Sequence, residues 1–257
     1  MSLAPLIAAL GIPSQALVEQ RVPKKLLLEH GAQTAADKRQ IQDGIEEIFW
    51  VAALKPTNIG VPAFEDIKRQ YLEVEVVTVE LRAFAKPTRL IELIHRAIPY
   101  PLVLIIGQSE TVSLSLAHKR WSQGEANKVV IEEVQQAALG TGVPTVQEAA
   151  FLSSLAVSRL PSRDLFTLYD GMLARLASLE ASRITGAFST PDSSEHANAV
   201  REGLDRHARL QRDLELLRAR AAKEKQINRR VDLNLEVKRL ENELGSTAVR
   251  LKPKDAE

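Results

Sequence analysis

Leu102-Val103-Leu104-Ile105-Ile106 is an unbroken apolar run held between Pro101 and Gly107. A five-residue run of this kind is too short for a core helix and carries no polar face, so it reads as a strand covered on both sides. Everything around it reads as the rest of one sheet. Before it, Pro87 suits the first turn of a helix, and Leu90, Ile91, Ile94, Ala97 and Ile98 recur at helical spacing through Thr88–Ile98. Pro99 and Pro101 stop that helix and force an extended approach to the strand. After the run, Gly107-Gln108-Ser109-Glu110 predicts a hairpin turn. Thr111–Ala117 then alternates, with Val112, Leu114 and Leu116 against Ser113 and Ser115, and His118-Lys119-Arg120 closes it with a basic cluster.

Upstream, Tyr71–Arg82 alternates twice, with a phase slip between Val76 and Val77. A one-residue bulge there would put Glu73, Glu75, Thr78, Glu80 and Arg82 on one polar face. Ile48–Leu54 reads as another strand, antiparallel to the first. The expected fold is α+β: a small antiparallel or mixed sheet in the order β-β-α-β-β with flanking helices on one face, followed by a long helical hairpin or coiled coil. Pro23 and Gly31 bracket one short helix, and Thr34 with Asp37 resembles a capping box opening another. Trp121–Lys128 reads as a polar end to the sheet and Val129–Ala138 as a short helix.

The expected organisation is an α+β domain over 1–139, a linker region over 140–162 centred on Gly140–Pro144, and a helical arm over 163–257. Arg163–Gly186 fits a helix. His196–Leu244 is one proline-free pattern with a seam of Leu210, Leu214, Leu217, Ala221, Val231, Leu235, Leu240 and Leu244. Gly245–Glu257 reads as a frayed tail.

Composition removes several function classes. The chain of 257 residues has no cysteine, which excludes disulfides, thiolate nucleophiles and cysteine-ligated zinc. Net charge is +1, so any nucleic-acid affinity must come from a local patch. No run approaches the roughly 20 apolar residues of a spanning helix, and no signal peptide is evident, so no membrane partner and a cytoplasmic location are expected. Neither a Gly-rich phosphate loop nor a Ser–His–Asp signature is present.

Three candidate sites remain. Arg218, Arg220, Lys223, Lys225, Arg229 and Arg230 stand against one acid, Glu224; a basic helix face of this kind binds a phosphate backbone or a partner, and equally suits the charged flank of a coiled coil. His118, Lys119 and Arg120, joined by His95 and by Lys24 and Lys25, form a second basic group for phosphate or partner contact. Glu80 with Arg82 suggests a metal-dependent nuclease, which would be the only reading to bring in a cofactor, Mg²⁺. Arginine stays protonated and cannot serve as a base there, so the expected catalytic set is empty and Glu80 and Arg82 stand as the alternative. A polar strand face with Glu80 paired to Arg82 is the plainer reading.

Several runs resemble one family in order: Val22-Pro23-Lys24-Lys25-Leu26, Ala36-Asp37-Lys38-Arg39, Val79-Glu80-Leu81-Arg82, Glu92 to Pro101, Leu114 to Arg120, and Lys223 to Val231. The chain resembles an uncharacterised bacterial family, domain of unknown function 4391, over nearly its whole length outside Gly140–Ser162. The resemblance implies a genomic setting beside helicases and DNA methyltransferases of restriction or phage-defence type, and no activity. The expected function is therefore a non-enzymatic adaptor in such an assembly, bound to a helicase or methyltransferase and to DNA. A homodimer through the C-terminal helices, serving as a scaffold, is a further alternative.

Overall fold

The structure, a computed structural model, describes residues 3–124, 129–140 and 142–252. Part of the expected polar stretch 121–128, Thr141 of the expected linker and the end of the C-terminal tail lie outside the described residues. The chain divides into two compact units, Met1–Leu176 and Ala177–Glu257.

In the first unit the elements run α1 (Ala4–Ala9), β1 (Leu17–Arg21), α2 (Lys24–His30), α3 (Ala35–Gly44), β2 (Ile45–Leu54), α4 (Pro56–Ile59), β3 (Phe64–Glu65), β4 (Gln70–Tyr71), β5 (Val74–Leu81), α5 (Pro87–Ala97), β6 (Leu102–Gln108), β7 (Thr111–Trp121), β8 (Val129–Leu139), α6 (Val146–Ser154) and the first half of α7 (Leu165–Thr185). Among the described residues six strands form one mixed sheet, ordered β1-β2-β5-β6-β7-β8. β5 and β6 pair in parallel, as a strand–helix–strand crossover requires, and the remaining neighbours are antiparallel. The expected β-β-α-β-β order is present, extended by β1 at one edge and β8 at the other.

Helices cover both faces of the sheet, not one. On the first face α2, α3 and α5 bury Leu27, Ile41, Leu90 and Ile94 against Val77, Val79, Leu104 and Ile106. On the second, the Tyr169 hydroxyl of α7 donates to Leu102 O at 2.7 Å and accepts from Ala117 N at 2.9 Å. Two covered faces explain why Leu102–Ile106 has no polar position; all five residues are buried.

The phase slip in β5 has a different origin from the expected bulge. β5 pairs continuously with β6, and the extra residue sits in β2, between Trp50 and Ala52, opposite Val76 and Val77. Strict alternation along β5 therefore sends Glu75 to the α2/α5 face with Val77 and Val79, and Thr78 and Glu80 to the other. The expected polar face therefore does not form, since Glu75 and Glu80 lie on opposite sides of the sheet. β8 replaces the expected short helix: Val129, Val130 and Ile131 are β-branched and pair with Trp121, Arg120 and Lys119.

Local signals set the helix ends. Thr34 and Asp37 form the capping box, the Asp37 amide donating to Thr34 Oγ1 and the Thr34 amide to Asp37 Oδ2. Asp37 also receives Arg89 of α5 through Nε at 2.9 Å and Nη2 at 3.1 Å, tying α3 to α5. Burial opposes the Asp37 charge, yet the Arg89 and Thr34 hydrogen bonds hold its carboxyl below the usual carboxylate range. Ser109 turns β6 into β7 with a left-handed backbone, φ 53°.

In the second unit the long pattern is two helices. α8 (Ser194–Lys223) and α9 (Ile227–Arg250) are separated by an extended turn at Glu224 and fold back on each other. Arg206–Glu243 at 2.5 Å and Arg218–Glu241 at 2.6 Å bridge the two helices. The turn contains neither glycine nor proline; the Gln226 amide donates to the Glu224 carboxylate at 2.8 Å. Folding back buries Leu210, Leu214, Leu217 and Ala221, which one extended helix would leave in water. Residues 245–250, expected to fray, are helical.

Candidate functional site

The α2/α5 face of the sheet carries a buried polar cluster at the start of the parallel pair. Glu75 is 4% exposed. Its Oε2 accepts from the indole Nε1–H of Trp50. Lys119, 3% exposed, arrives from β7 and donates to the carbonyls of Ile98 and Tyr100. That pairing has a clear origin. Ile98 caps the C-terminal end of α5, where carbonyls lack helical donors, and Pro99 and Pro101 supply no N–H. An ammonium group satisfies them and suits the negative helix end. His95, fully buried, meets Ser115 Oγ at 3.0 Å through Nε2, and its Nδ1 has no partner among the described residues.

Burial governs the titration of all three. It pushes the Glu75 carboxyl up to about 7, helped by the nearby Glu73 charge. It lowers the Lys119 ammonium to about 7 and, with the Lys119 charge, lowers the His95 imidazole to about 3. His95 is thus neutral at physiological pH.

A cavity of about 390 Å³ opens beside Glu75. Its walls are mainly apolar, from Leu26, Leu27, Val77 and Ile98, and Glu73, Glu75, Trp50, Tyr100 and His30 also line it. Glu73 holds Lys55 at 2.8 Å. A smaller cavity of about 210 Å³ lies between Lys119, Tyr100 and Trp121.

The expected basic group around His118 is split by the sheet. Lys119 points to the α5 face, whereas His118 points to the other, between the Tyr71 hydroxyl at 2.7 Å and Asp170 at 3.2 Å, with the Phe166 ring stacked on it. Arg120 lies 3.8 Å from Glu132. Lys24 donates to the carbonyls of Gln42 and Ile45, and Lys25 pairs with Glu29 at 3.6 Å. These cations hold protein partners and are not gathered into one patch. Glu80 and Arg82 do not pair either. Arg82 binds Glu46 at 2.6 Å, while the Glu80 carboxylate lies over Gly107, the cross-strand residue without a side chain to block it; burial raises its pKa. Among the described residues no three histidine or acidic side chains are placed to share a metal ion.

The hairpin gathers the third group. Arg220 and Lys223 end α8, Lys225 lies in the turn, and Arg229 and Arg230 open α9, so the fold-back brings both ends of the basic segment to one tip. Arg218 alone of the six is held across the hairpin by Glu241. The seam differs from the expected one. Leu233, Val237, Leu240 and Leu244 of α9 are partly buried, whereas Val231 and Leu235 are 51% and 64% exposed, in line with Ile227 at 68%. Two residues on a helix turn it by about 200°, so the opening of α9 is apolar on two opposite sides.

Among the described residues no helix is long and apolar enough to cross a membrane. No curated protein and no solved structure matches the chain. A family model described as a domain of unknown function, DUF4391, matches residues 10–244, and the chain belongs to that family.

Proposed function

We propose that this protein is a non-enzymatic accessory subunit of a bacterial DNA-defence assembly, acting in the cytoplasm, with the α8–α9 hairpin as its docking arm. The observation that carries the reading is the second apolar stripe of α9. Ile227, Val231 and Leu235 are spaced i, i+4, i+8 and are all more than half exposed, the pattern by which one helix lays a face into a partner's groove. Solvent exposure of three aliphatic side chains in line costs stability unless something covers them in use. Arg229, Arg230 and Lys225 lie by the stripe at the tip, and Asp232 and Glu236 by it further along, so the complementary surface is apolar, with acidic groups where it meets the tip. A helicase or DNA methyltransferase, the classes implied by the family's genomic setting, is the proposed partner, with DNA contact through the same basic tip.

The test is affinity purification from the native bacterium, with nuclease treatment, comparing the natural chain with Ile227→Ser/Val231→Ser/Leu235→Ser and with Lys223→Glu/Lys225→Glu/Arg229→Glu/Arg230→Glu. A helicase or methyltransferase retained after nuclease by the natural chain, and lost in the serine variant, is expected. The charge-reversed variant should lose both DNA and partner. Equal retention by all three chains contradicts the reading. Recovery of the chain only as a dimer, read by light scattering, would assign the stripe to a second copy instead.

A further inference from the structure

Beyond the docking arm, the cavity beside Glu75 has the composition of a ligand site. We propose that it binds a primary ammonium or guanidinium group carried on an apolar stem, either a free organic amine or the side chain of a lysine or arginine in a peptide.

Four observations converge. The walls are aliphatic: Leu26, Leu27, Val77 and Ile98 line the space, which at about 390 Å³ takes a stem of several carbons. The lining is also acidic: Glu73 and Glu75 both contribute to it, and among the described residues no lysine or arginine does. Lys119 is engaged on the Ile98 and Tyr100 carbonyls and Lys55 already pairs with Glu73 at 2.8 Å, which leaves Glu75 as the carboxyl to meet an incoming cation. Two aromatic rings, Trp50 and Tyr100, stand beside the carboxyls, and ring faces attract cations as carboxylates do. The Trp50 indole donates to one Glu75 oxygen and so holds the carboxyl in place, its second oxygen receiving no hydrogen bond from a described residue. That second oxygen is left to accept from a donor carrying positive charge.

The groups that face Glu75 define how binding depends on pH. They are Glu73 beside it, Lys55 before α4, Lys119 from β7, Tyr100 after α5 and His30 at the end of α2. Glu75 must lose its proton to meet the cation. Because burial holds it up to about 7, affinity should fall about tenfold for each pH unit below that value, provided Glu75 is the group that pairs.

The experiment uses the full chain and the indole N–H signals of its two tryptophans in a nitrogen–proton NMR spectrum, with Trp121→Phe assigning Trp50. Butylammonium and butylguanidinium chloride are titrated to ~100 mM, against n-butanol and against sodium chloride at equal ionic strength. A capped tripeptide with a central lysine separates a peptide source from a free amine. Saturable movement of the Trp50 signal with the organic cations, absent with butanol and sodium chloride, is expected. Glu75→Gln should weaken it at least tenfold, and Tyr100→Leu, at a partly exposed position, several-fold. Butanol moving the signal as strongly as the cations would overturn the proposal, as would no response to any cation or undiminished binding by Glu75→Gln. If Glu75→Gln does not fold, the comparison of cation with alcohol on the natural chain decides alone.

Discussion

Glu75 and Lys119 show how burial reverses the ordinary behaviour of charged side chains. The folded chain holds the Glu75 proton more tightly than the unfolded chain, so stability falls as pH rises from 4.5 to about 7 and stays lowered above that. For Lys119 the unfolded chain holds the proton more tightly, and stability returns as pH rises from about 7 towards 10.5. His95 acts on the acid side: its imidazole is kept neutral, so stability is lost as pH falls from 6.5 towards about 3. Glu75→Gln isolates one contribution. It should stabilise the chain more at pH 8 than at pH 5, by on the order of 2 to 3 kcal/mol, measured by urea unfolding of both chains at both values. An equal effect at the two pH values would contradict the assignment. None of this was legible in the sequence. The apolar residues of β5 were evident, but β5 is covered on both faces, so the run of apolar and polar residues does not show which face Glu75 takes.

The elements were legible where their signals are local. Thr34-to-Asp37, Pro87, and the Pro99 and Pro101 stops lie within a few residues of the boundaries they set. Removing the Thr34 hydroxyl by Thr34→Ala should cost about 1 kcal/mol, with thermal unfolding as the readout. What depends on distant partners was not legible. Val129–Ala138 carries a pattern that fits either a helix or a strand, and pairing with β7 decides it. Gly31 illustrates the same limit. Its position after α2 reads as a helix stop, yet a Cβ there would lie 2.7 Å from the Leu93 carbonyl oxygen of α5 and 3.0 Å from Ala97. It is therefore also the contact through which α2 and α5 close. Gly31→Ala should destabilise by about 1 to 3 kcal/mol, the usual penalty for overfilling a packed contact; a neutral outcome would show that the two helices can separate without loss.

At the scale of the molecule, the two units divide the proposed work. The sheet unit holds the cavity beside Glu75, and the hairpin unit presents apolar and basic side chains outward. The hairpin expected from the sequence paired a helix over 163–186 with one helix over 196–244; the observed one lies within that second segment, because Glu224-Lys225-Gln226 has no glycine or proline to mark the turn. Once the turn is placed, Val231 and Leu235 leave the expected seam and become the exposed stripe. That stripe is the centre of the functional proposal, and the absence of cysteine from the chain allows it to be probed directly. A single cysteine introduced by Val231→Cys and carrying a photoreactive label should crosslink to a helicase or methyltransferase in nuclease-treated native lysate. The same label at Ile67→Cys, 93% exposed in the sheet unit, should give little or none of that product. Equal crosslinking at both positions, or none to any protein at Val231, would contradict the docking arm.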